Sequence, residues 1–352
     1  MTKKSILAAL LAAVMLLGGC TAPVKAPEPT AAPTATAAPA VTVDPALKTS
    51  ATGFYFDTVV TFTLYGAPTG LMEELMADCA RYEQLLSKTI EQSDVSRINK
   101  ANGETVTVDP ETWFILNRAK EISALTGETF CVTIAPLTKL WDFTGGTNRM
   151  PTEEERLSNL PLVGDDKLVL GEGNTVTLAP GMEIDLGGIA KGYIADRLAD
   201  KVRGKVTGAI LNFGGNVYAV AHKPDGSAFR VGVRDPKGSV MDYVAIVDVV
   251  NKTVVTSGTY ERFFTVDGVT YHHILDPKTG LPAQSDLAGA TIVGDSSMDA
   301  DALATACIVL GREKALEMLN KNGFDGVLID VDGGVYLTDH LSEKYAVKMM
   351  NQ

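Results

Sequence analysis

Residues 263–280 read FFTVDGVTYHHILDPKTG, and this stretch decides what kind of sheet the chain builds. Two short runs rich in aromatic and β-branched residues flank Asp267-Gly268, and a two-residue Asp-Gly loop is a strong signal for an antiparallel hairpin. We therefore predict strands over 263–266 and 269–275. Similar short strands recur along the chain with a few helices between them, which indicates an α+β body with mixed or antiparallel sheets.

Hydrophobic periodicity places the other elements. No linker interrupts residues 50–346, so we predict one folded domain over 46–352. The remaining predicted elements are helices over 71–86, 111–125, 153–160, 189–202 and 299–320, and strands over 53–64, 167–170, 175–178, 209–213, 217–221, 229–233, 243–250, 327–329 and 335–337.

The hairpin carries two adjacent histidines. Its register pairs Arg262 with His273, and alternation along the strand puts His272 and His273 on opposite faces, so only one of them can face a given site. The rigid turn that begins at Asp276-Pro277 would hold an imidazole in place. A general base near neutral pH is the functional interpretation, and a strand histidine bonded to a backbone carbonyl is the alternative.

The composition excludes one class of partner. Hydrophobic residues make up 45% and charged residues 21% of the 352 residues, as in an ordinary globular protein. The formal net charge is −12, and no stripe of lysine and arginine is present, so we expect no nucleic-acid partner.

The N-terminus has the features of an export signal. Lys3 and Lys4 precede an apolar run over 6–17 that is too short to span a membrane. Residues 17–20, Leu-Gly-Gly-Cys, resemble a bacterial lipobox, which implies a lipoprotein signal peptide over 1–19 and a lipid on Cys20. A plain secretory signal with a chance cysteine is the alternative.

A tether follows the signal. Residues 20–45 are dominated by Ala, Pro and Thr, a composition that cannot bury a core and stays disordered and extended. We expect an extracytoplasmic protein that touches the membrane only through the lipid on Cys20. Cys79, Cys131 and Cys307 remain, and an odd number without close spacing argues against a disulfide framework or a zinc site.

Residues 183–196, EIDLGGIAKGYIAD, lead from a strand-like segment through Gly187-Gly188 into a helix. Glycines at a helix start let a ligand approach the backbone, and the first-turn amides suit a phosphate. Lys191 adds a positive charge, and Asp185 could accept hydrogen bonds from a ribose or a base. Close helix–strand packing over small residues is the alternative interpretation.

Residues 299–307, DADALATAC, place Asp301 and Thr305 on one face of a helix. A carboxylate and a hydroxyl are hard oxygen ligands that suit Mg²⁺. The alternating alanines predict that this helix packs closely against a neighbour. Helix capping by Asp299 or Asp301 is the alternative.

Together these stretches resemble the ApbE family of FAD:protein FMN transferases. The resemblance runs from about Phe54 to the final strands. It is carried, in the family's order, by Phe56-Asp57-Thr58; Thr129-Phe130-Cys131-Val132-Thr133 with Pro136-Leu137; Asp185-Leu186-Gly187-Gly188-Ile189-Ala190-Lys191-Gly192; Asn212-Phe213-Gly214-Gly215-Asn216; Thr256-Ser257-Gly258; His273-Ile274-Leu275-Asp276-Pro277 with Thr279-Gly280; and Asp301 with Thr305.

The resemblance implies a reaction. FAD binds with Mg²⁺, the hydroxyl of a threonine or serine in an acceptor flavoprotein attacks the FMN phosphorus, and AMP leaves. The implied acceptors are extracytoplasmic subunits of redox complexes with a Ser/Thr-Gly-Ala-Thr-like site. An FAD pyrophosphatase that gives FMN and AMP, and a non-catalytic flavin-binding lipoprotein, are the alternatives.

The resemblance also implies roles for residues. His273 would be the base, and Asp301, Thr305 and the carbonyl of Gly188 would hold Mg²⁺. The implied FAD contacts are Phe56, Thr129, Phe130, Cys131, Asp185 at the adenosine part, Lys191, His273 and Ile274.

Two of these positions depart from the family pattern. Phe56 stands where the family often has Met, and Cys131 stands where it usually has Asp, which removes a hydrogen-bond acceptor at the expected FAD site. Residues 87–90 also line the pocket in relatives.

Overall fold

The protein is described by a computed structural model that covers residues 44–147 and 149–350. The predicted signal peptide and nearly all of the predicted tether lie outside these residues. Among the residues described, no helix has both the length and the apolar composition that a membrane crossing requires.

The described residues form sixteen strands and nine α-helices, numbered in chain order. The strands are β1 (Lys48–Tyr55), β2 (Thr58–Tyr65), β3 (Thr105–Thr107), β4 (Leu168–Gly171), β5 (Thr175–Leu178), β6 (Gly208–Phe213), β7 (Asn216–Ala221), β8 (Phe229–Arg234), β9 (Tyr243–Val249), β10 (Lys252–Gly258), β11 (Phe263–Val266), β12 (Val269–His272), β13 (Leu287–Gly294), β14 (Asp325–Asp330), β15 (Val335–Leu337) and β16 (Val347–Met349). The helices are α1 (Leu71–Leu86), α2 (Asp94–Lys100), α3 (Pro110–Leu125), α4 (Ala135–Trp141), α5 (Glu153–Asn159), α6 (Ala190–Val202), α7 (Ser297–Leu310), α8 (Arg312–Asn322) and α9 (Leu341–Lys344).

The central layer is an eight-stranded sheet in the order β1-β2-β6-β7-β10-β13-β14-β15, and every neighbouring pair in it is antiparallel. Val254 and Val255 are adjacent on β10 but belong to different hydrophobic clusters. One cluster includes buried residues of α1, α3, α6 and α7, and the other includes the small sheet β16-β9-β8. Both faces of the central sheet are therefore covered, and the predicted α+β fold with antiparallel sheets is confirmed.

The hairpin predicted from FFTVDGVTYHHILDPKTG is present as β11 and β12. Asp267 and Gly268 both have positive φ, 50° and 79°, as a two-residue hairpin turn requires. Strand β12 ends at His272 rather than at residue 275, because the chain turns toward Asp276-Pro277.

Two predicted elements are each divided in the structure. The strand predicted over 53–64 is a hairpin, because Phe56 and Asp57 take positive φ and reverse the chain between β1 and β2. The helix predicted over 299–320 ends at Leu310, and Gly311 at φ 77° separates α7 from α8. Both breaks occur where a left-handed backbone interrupts an otherwise periodic pattern.

Helices α6 and α7 pack unusually closely, as the alanine pattern predicted. A Cβ built on Gly192 would lie 2.1 Å from the carbonyl oxygen of Ser297, so only glycine fits there. The backbone N–H of Gly192 donates to Asp301 Oδ2 at 3.1 Å. This contact brings the start of α6 and the face of α7 that carries Asp301 to one place.

Candidate active site

One cavity of about 360 Å³ gathers every residue that was predicted to bind FAD or metal or to act as the base, a size at the lower end of small-molecule sites. The loops before α6, the turn between β1 and β2, the end of β10 and the segment after β12 all reach it. The predicted residues that line it are Phe56, Thr129, Phe130, Cys131, Asp185, Gly188, Lys191, His273, Ile274, Asp301 and Thr305. The structure thus brings them together, while their individual roles remain predictions.

His273 is held directly after β12. Its backbone N–H donates to the carbonyl of Arg262 at 2.9 Å, and the following turn is closed by the N–H of Gly280 on Asp276 O at 2.8 Å. Its Nδ1 is buried and has no hydrogen-bond partner among the described residues. The Nε2 atom is therefore the nitrogen that can exchange a proton with the cavity.

The imidazole of His273 is neutral at physiological pH. Burial lowers its pKa to about 4, and the charges of Arg262, His272 and Lys191 add to this shift. A neutral imidazole has a free lone pair, which a general base needs.

His272 lies outside this site. It does not line the cavity, and its Nε2 is 3.1 Å from the carbonyl oxygen of Ala283. The prediction that only one of the two histidines faces the site is confirmed. The interpretation of a histidine bonded to a backbone carbonyl describes His272, not His273.

Hard oxygen atoms converge around Thr305 in the same cavity. Thr305 Oγ1 lies 3.3 Å from the carbonyl oxygen of Asp301 and 3.3 Å from Ser257 Oγ. A Cβ built on Gly188 would be 3.7 Å from the same Thr305 oxygen, so the Gly188 backbone is adjacent. Asp301 is 3% exposed, and its Oδ2 is 3.7 Å from Lys191 Nζ.

Neither Asp299 nor Asp301 caps α7, although Asp301 accepts the first-turn N–H of Gly192 in α6 at 3.1 Å. The side chain of Ser296 caps α7 by accepting the N–H of Asp299 at 3.1 Å. Asp299 itself pairs with Arg118, with the oxygen and nitrogen 2.7 Å apart. Asp301 and Thr305 are left to face the cavity. Within residues 44–147 and 149–350, no three His, Cys, Asp or Glu side chains form a metal cluster, so a metal here would rely on this mixed oxygen set.

Asp185 has a partner that the sequence did not reveal. Lys88 Nζ lies 2.6 Å from its Oδ2, and the N–H of Gly187 donates to its Oδ1 at 2.9 Å. Burial alone would raise the pKa of the Asp185 carboxyl, but the charge of Lys88 and these hydrogen bonds bring it below its ordinary value. Asp185 is therefore a carboxylate, and Lys88 is a second cation in the cavity that Lys191 also lines. The one sequence signal for Lys88 was the resemblance to relatives in which residues 87–90 line the pocket.

Cys131 is embedded in a buried hydrogen-bond network. Its Sγ lies 3.0 Å from Asp165 Oδ1 and 2.9 Å from Thr133 Oγ1. Burial, followed by the charge of Asp165, raises the pKa of the thiol, so Cys131 is not a nucleophile. Asp165 comes from a distant 3₁₀ turn over 165–167, and no sequence pattern identified it.

Asn216 and Glu261 are two further polar residues that line the cavity. Asn216 is 2% exposed, and its Nδ2 has no partner. Glu261 is exposed and follows β10. Sequence reasoning missed both as site residues, although Asn216 belongs to the quoted motif.

The amino-acid sequence also matches known proteins. Residues 56–328, more than half of the chain, match the signature of the ApbE family. The chain belongs to the ApbE family. It is 32% identical over 284 residues to the FAD:protein FMN transferase of Klebsiella pneumoniae strain 342, covering 79% of this chain and 88% of that protein.

Two other ApbE relatives agree. The FAD:protein FMN transferase of Treponema pallidum strain Nichols is 35% identical over 279 residues, covering 74% of this chain and 77% of that protein. The crystal structure of the ApbE protein of Thermotoga maritima superposes with a TM-score of 0.79 at 32% identity, covering 84% of this chain and 99% of that one. The predicted family and fold are thereby confirmed.

Proposed function

We propose that this ApbE-family chain transfers the FMN half of FAD to a threonine or serine hydroxyl of an acceptor flavoprotein and releases AMP. The observation that carries the proposal is a neutral His273 in the same cavity as the oxygen set of Asp301, Thr305 and Gly188. Phosphoryl transfer needs a base that accepts the proton of the hydroxyl and groups that neutralise the negative charge of the phosphates. The names of the curated relatives support FAD as substrate and a protein as acceptor.

The proposed transfer forms one phosphorus–oxygen bond and breaks another. The acceptor hydroxyl oxygen forms a bond to the FMN phosphorus, and its proton passes to Nε2 of His273. The phosphorus–oxygen bond of the pyrophosphate breaks, and the bridging oxygen leaves with AMP. Lys191, whose Nζ also donates to Gly187 O at 2.8 Å, lies where it would face the phosphates.

The oxygen set fits Mg²⁺. The Asp301 carboxylate, the Thr305 hydroxyl and the Gly188 carbonyl would hold the ion, because Mg²⁺ prefers hard oxygen donors. When bound, Mg²⁺ would neutralise charge on the pyrophosphate. Lys191 Nζ lies 3.7 Å from Asp301 Oδ2, so this carboxylate already stabilises one positive charge.

The remaining predicted residues would contact FAD. Phe56 and Phe130 supply aromatic surface for a flat ring, and the N–H of Phe56 is anchored on Glu83 Oε1 at 2.8 Å. Asp185 would face the adenosine part. The other predicted contacts are Thr129, Cys131, His273 and Ile274.

The proposal includes a cellular location, outside the cytoplasm and anchored to the membrane. Residues 1–45 predict a lipoprotein signal, a lipid on Cys20 and a tether, so the acceptors would be extracytoplasmic redox-complex subunits with a Ser/Thr-Gly-Ala-Thr-like site. Expression of the Cys20→Ala variant in a bacterial host tests this. The variant is expected to leave the membrane fraction, whereas retention there would contradict the anchor.

The transfer itself is tested with the full chain, FAD, Mg²⁺ and an acceptor domain that bears the threonine. Intact-protein mass spectrometry should find the acceptor heavier by one FMN. His273→Gln should abolish this gain, whereas the matched control His272→Gln should keep it, because His272 lies outside the cavity. Free FMN and AMP with an unmodified acceptor would indicate the pyrophosphatase instead, and intact FAD would indicate a binding protein.

A further inference from the structure

Glu261 is an acid that lines the cavity and whose carboxylate has neither a hydrogen-bond partner nor an ion-pair partner among the described residues, unlike Asp185 and Asp301. It lines the same cavity as Lys191 and His273, and its side chain is exposed. Across the part of the chain that the structure describes, its carboxylate forms no hydrogen bond and no ion pair. The nearby cations Lys191, Arg234 and Arg262 attract its charge without forming an ion pair, and that charge would oppose a diphosphate. The binding of FAD therefore does not account for it.

Its location relates it to the base. The carbonyl of the next residue, Arg262, accepts the N–H of His273 at 2.9 Å. Glu261 is exposed whereas His273 is half-buried, and both line the cavity that an acceptor has to enter.

The chemistry of a carboxylate indicates what kind of molecule Glu261 would bind in this cavity. A carboxylate only accepts hydrogen bonds, and its bonds from N–H donors are charge-assisted. The acceptor hydroxyl has one proton, which goes to His273, so it cannot also be donated to Glu261. An incoming polypeptide has other donors, namely the backbone N–H groups beside its threonine, whereas water in a hydrolysis reaction has no such groups.

We propose that Glu261 binds the acceptor protein by accepting backbone N–H groups next to the modified threonine, and so places the hydroxyl beside His273. The inference rests on the proposed function. Partial loss of water raises the pKa of this carboxyl and outweighs the nearby cations Lys191, Arg234 and Arg262, which lower it.

The test is steady-state FMN transfer by the full chain at varied acceptor concentration. Glu261→Ala should raise the KM for the acceptor about tenfold, as expected for the loss of charge-assisted bonds, and leave kcat within about twofold. Glu261→Gln should give an intermediate KM, because an amide oxygen still accepts but carries no charge. The Kd for FAD, followed by flavin fluorescence, should stay equal or decrease, since a negative charge is removed.

Glu104→Ala is the matched control, because it removes an exposed acid that does not line the cavity. An acceptor KM unchanged in Glu261→Ala would overturn the inference and leave the transferase intact. So would a large loss of kcat at constant KM, which would assign Glu261 to proton transfer. If the wild-type chain transfers no FMN, the proposed function fails first and this inference falls with it.

Discussion

Gly192→Ala is the substitution whose effect the structure determines most sharply. The new Cβ would lie 2.1 Å from the carbonyl oxygen of Ser297 and 2.7 Å from the Cα of Met298. These are backbone atoms of α7 and cannot rotate away. Restoring ordinary contact at about 3.4 Å requires α6 and α7 to separate locally by about 1.3 Å.

Two energies oppose each other in this variant. Alanine in a helix is favoured over glycine by about 1 kcal/mol. Overpacking costs about 1–3 kcal/mol, and a clash between two backbones belongs at the upper end. We therefore expect the free energy of unfolding to fall by about 2 kcal/mol. Separation of the helices would also lengthen the bond between Gly192 N and Asp301 Oδ2, so binding of FAD with Mg²⁺ should weaken.

Urea denaturation followed by circular dichroism measures the first effect, and flavin fluorescence measures the second. Gly294→Ala is the matched control, since a Cβ there meets no atom within 4 Å, and its stability should change by less than about 0.5 kcal/mol. A Gly192→Ala variant as stable as the wild type would refute the close approach of the two helices.

Three further outcomes follow from the site. The pKa of His273 is lowered to about 4, so the neutral form of this imidazole is present above that pH and is lost below it. In a plot of kcat/KM against pH, activity should therefore fall near pH 4 rather than near pH 6.5. Cys131→Asp would set a second carboxylate beside Asp165, which raises the pKa of the pair. The variant should therefore lose about 1–3 kcal/mol of stability, more at pH 8 than at pH 5, in urea titrations at both pH values. Lys88→Met should cost about 1–2 kcal/mol by thermal unfolding because it leaves a largely buried carboxylate unpaired, whereas the exposed ion pair removed by Lys100→Met should cost less than about 1 kcal/mol.

Local features of the fold could be predicted from the sequence. The Asp267-Gly268 turn and the helix over 71–86 matched the structure, because turn chemistry and periodicity act over a few residues. Strand β13 was not predicted, because both of its faces are buried and its apolar run lacks alternation. The break at Gly311 was also missed, since an isolated glycine in a periodic pattern does not reveal its torsion angle.

The membership of the candidate site was also largely determined by the sequence, because its motifs mark the residues whose chemistry suits a phosphate, a metal and a proton. Tertiary structure alone decided their surroundings. Lys88 and Asp185 are 97 positions apart, and Cys131 and Asp165 are 34 apart. Burial, and hence the neutral state of His273, likewise exists only after folding. Such pairings depend on how separate elements pack in space, and no local pattern of residues encodes that distance or the loss of water that sets each pKa.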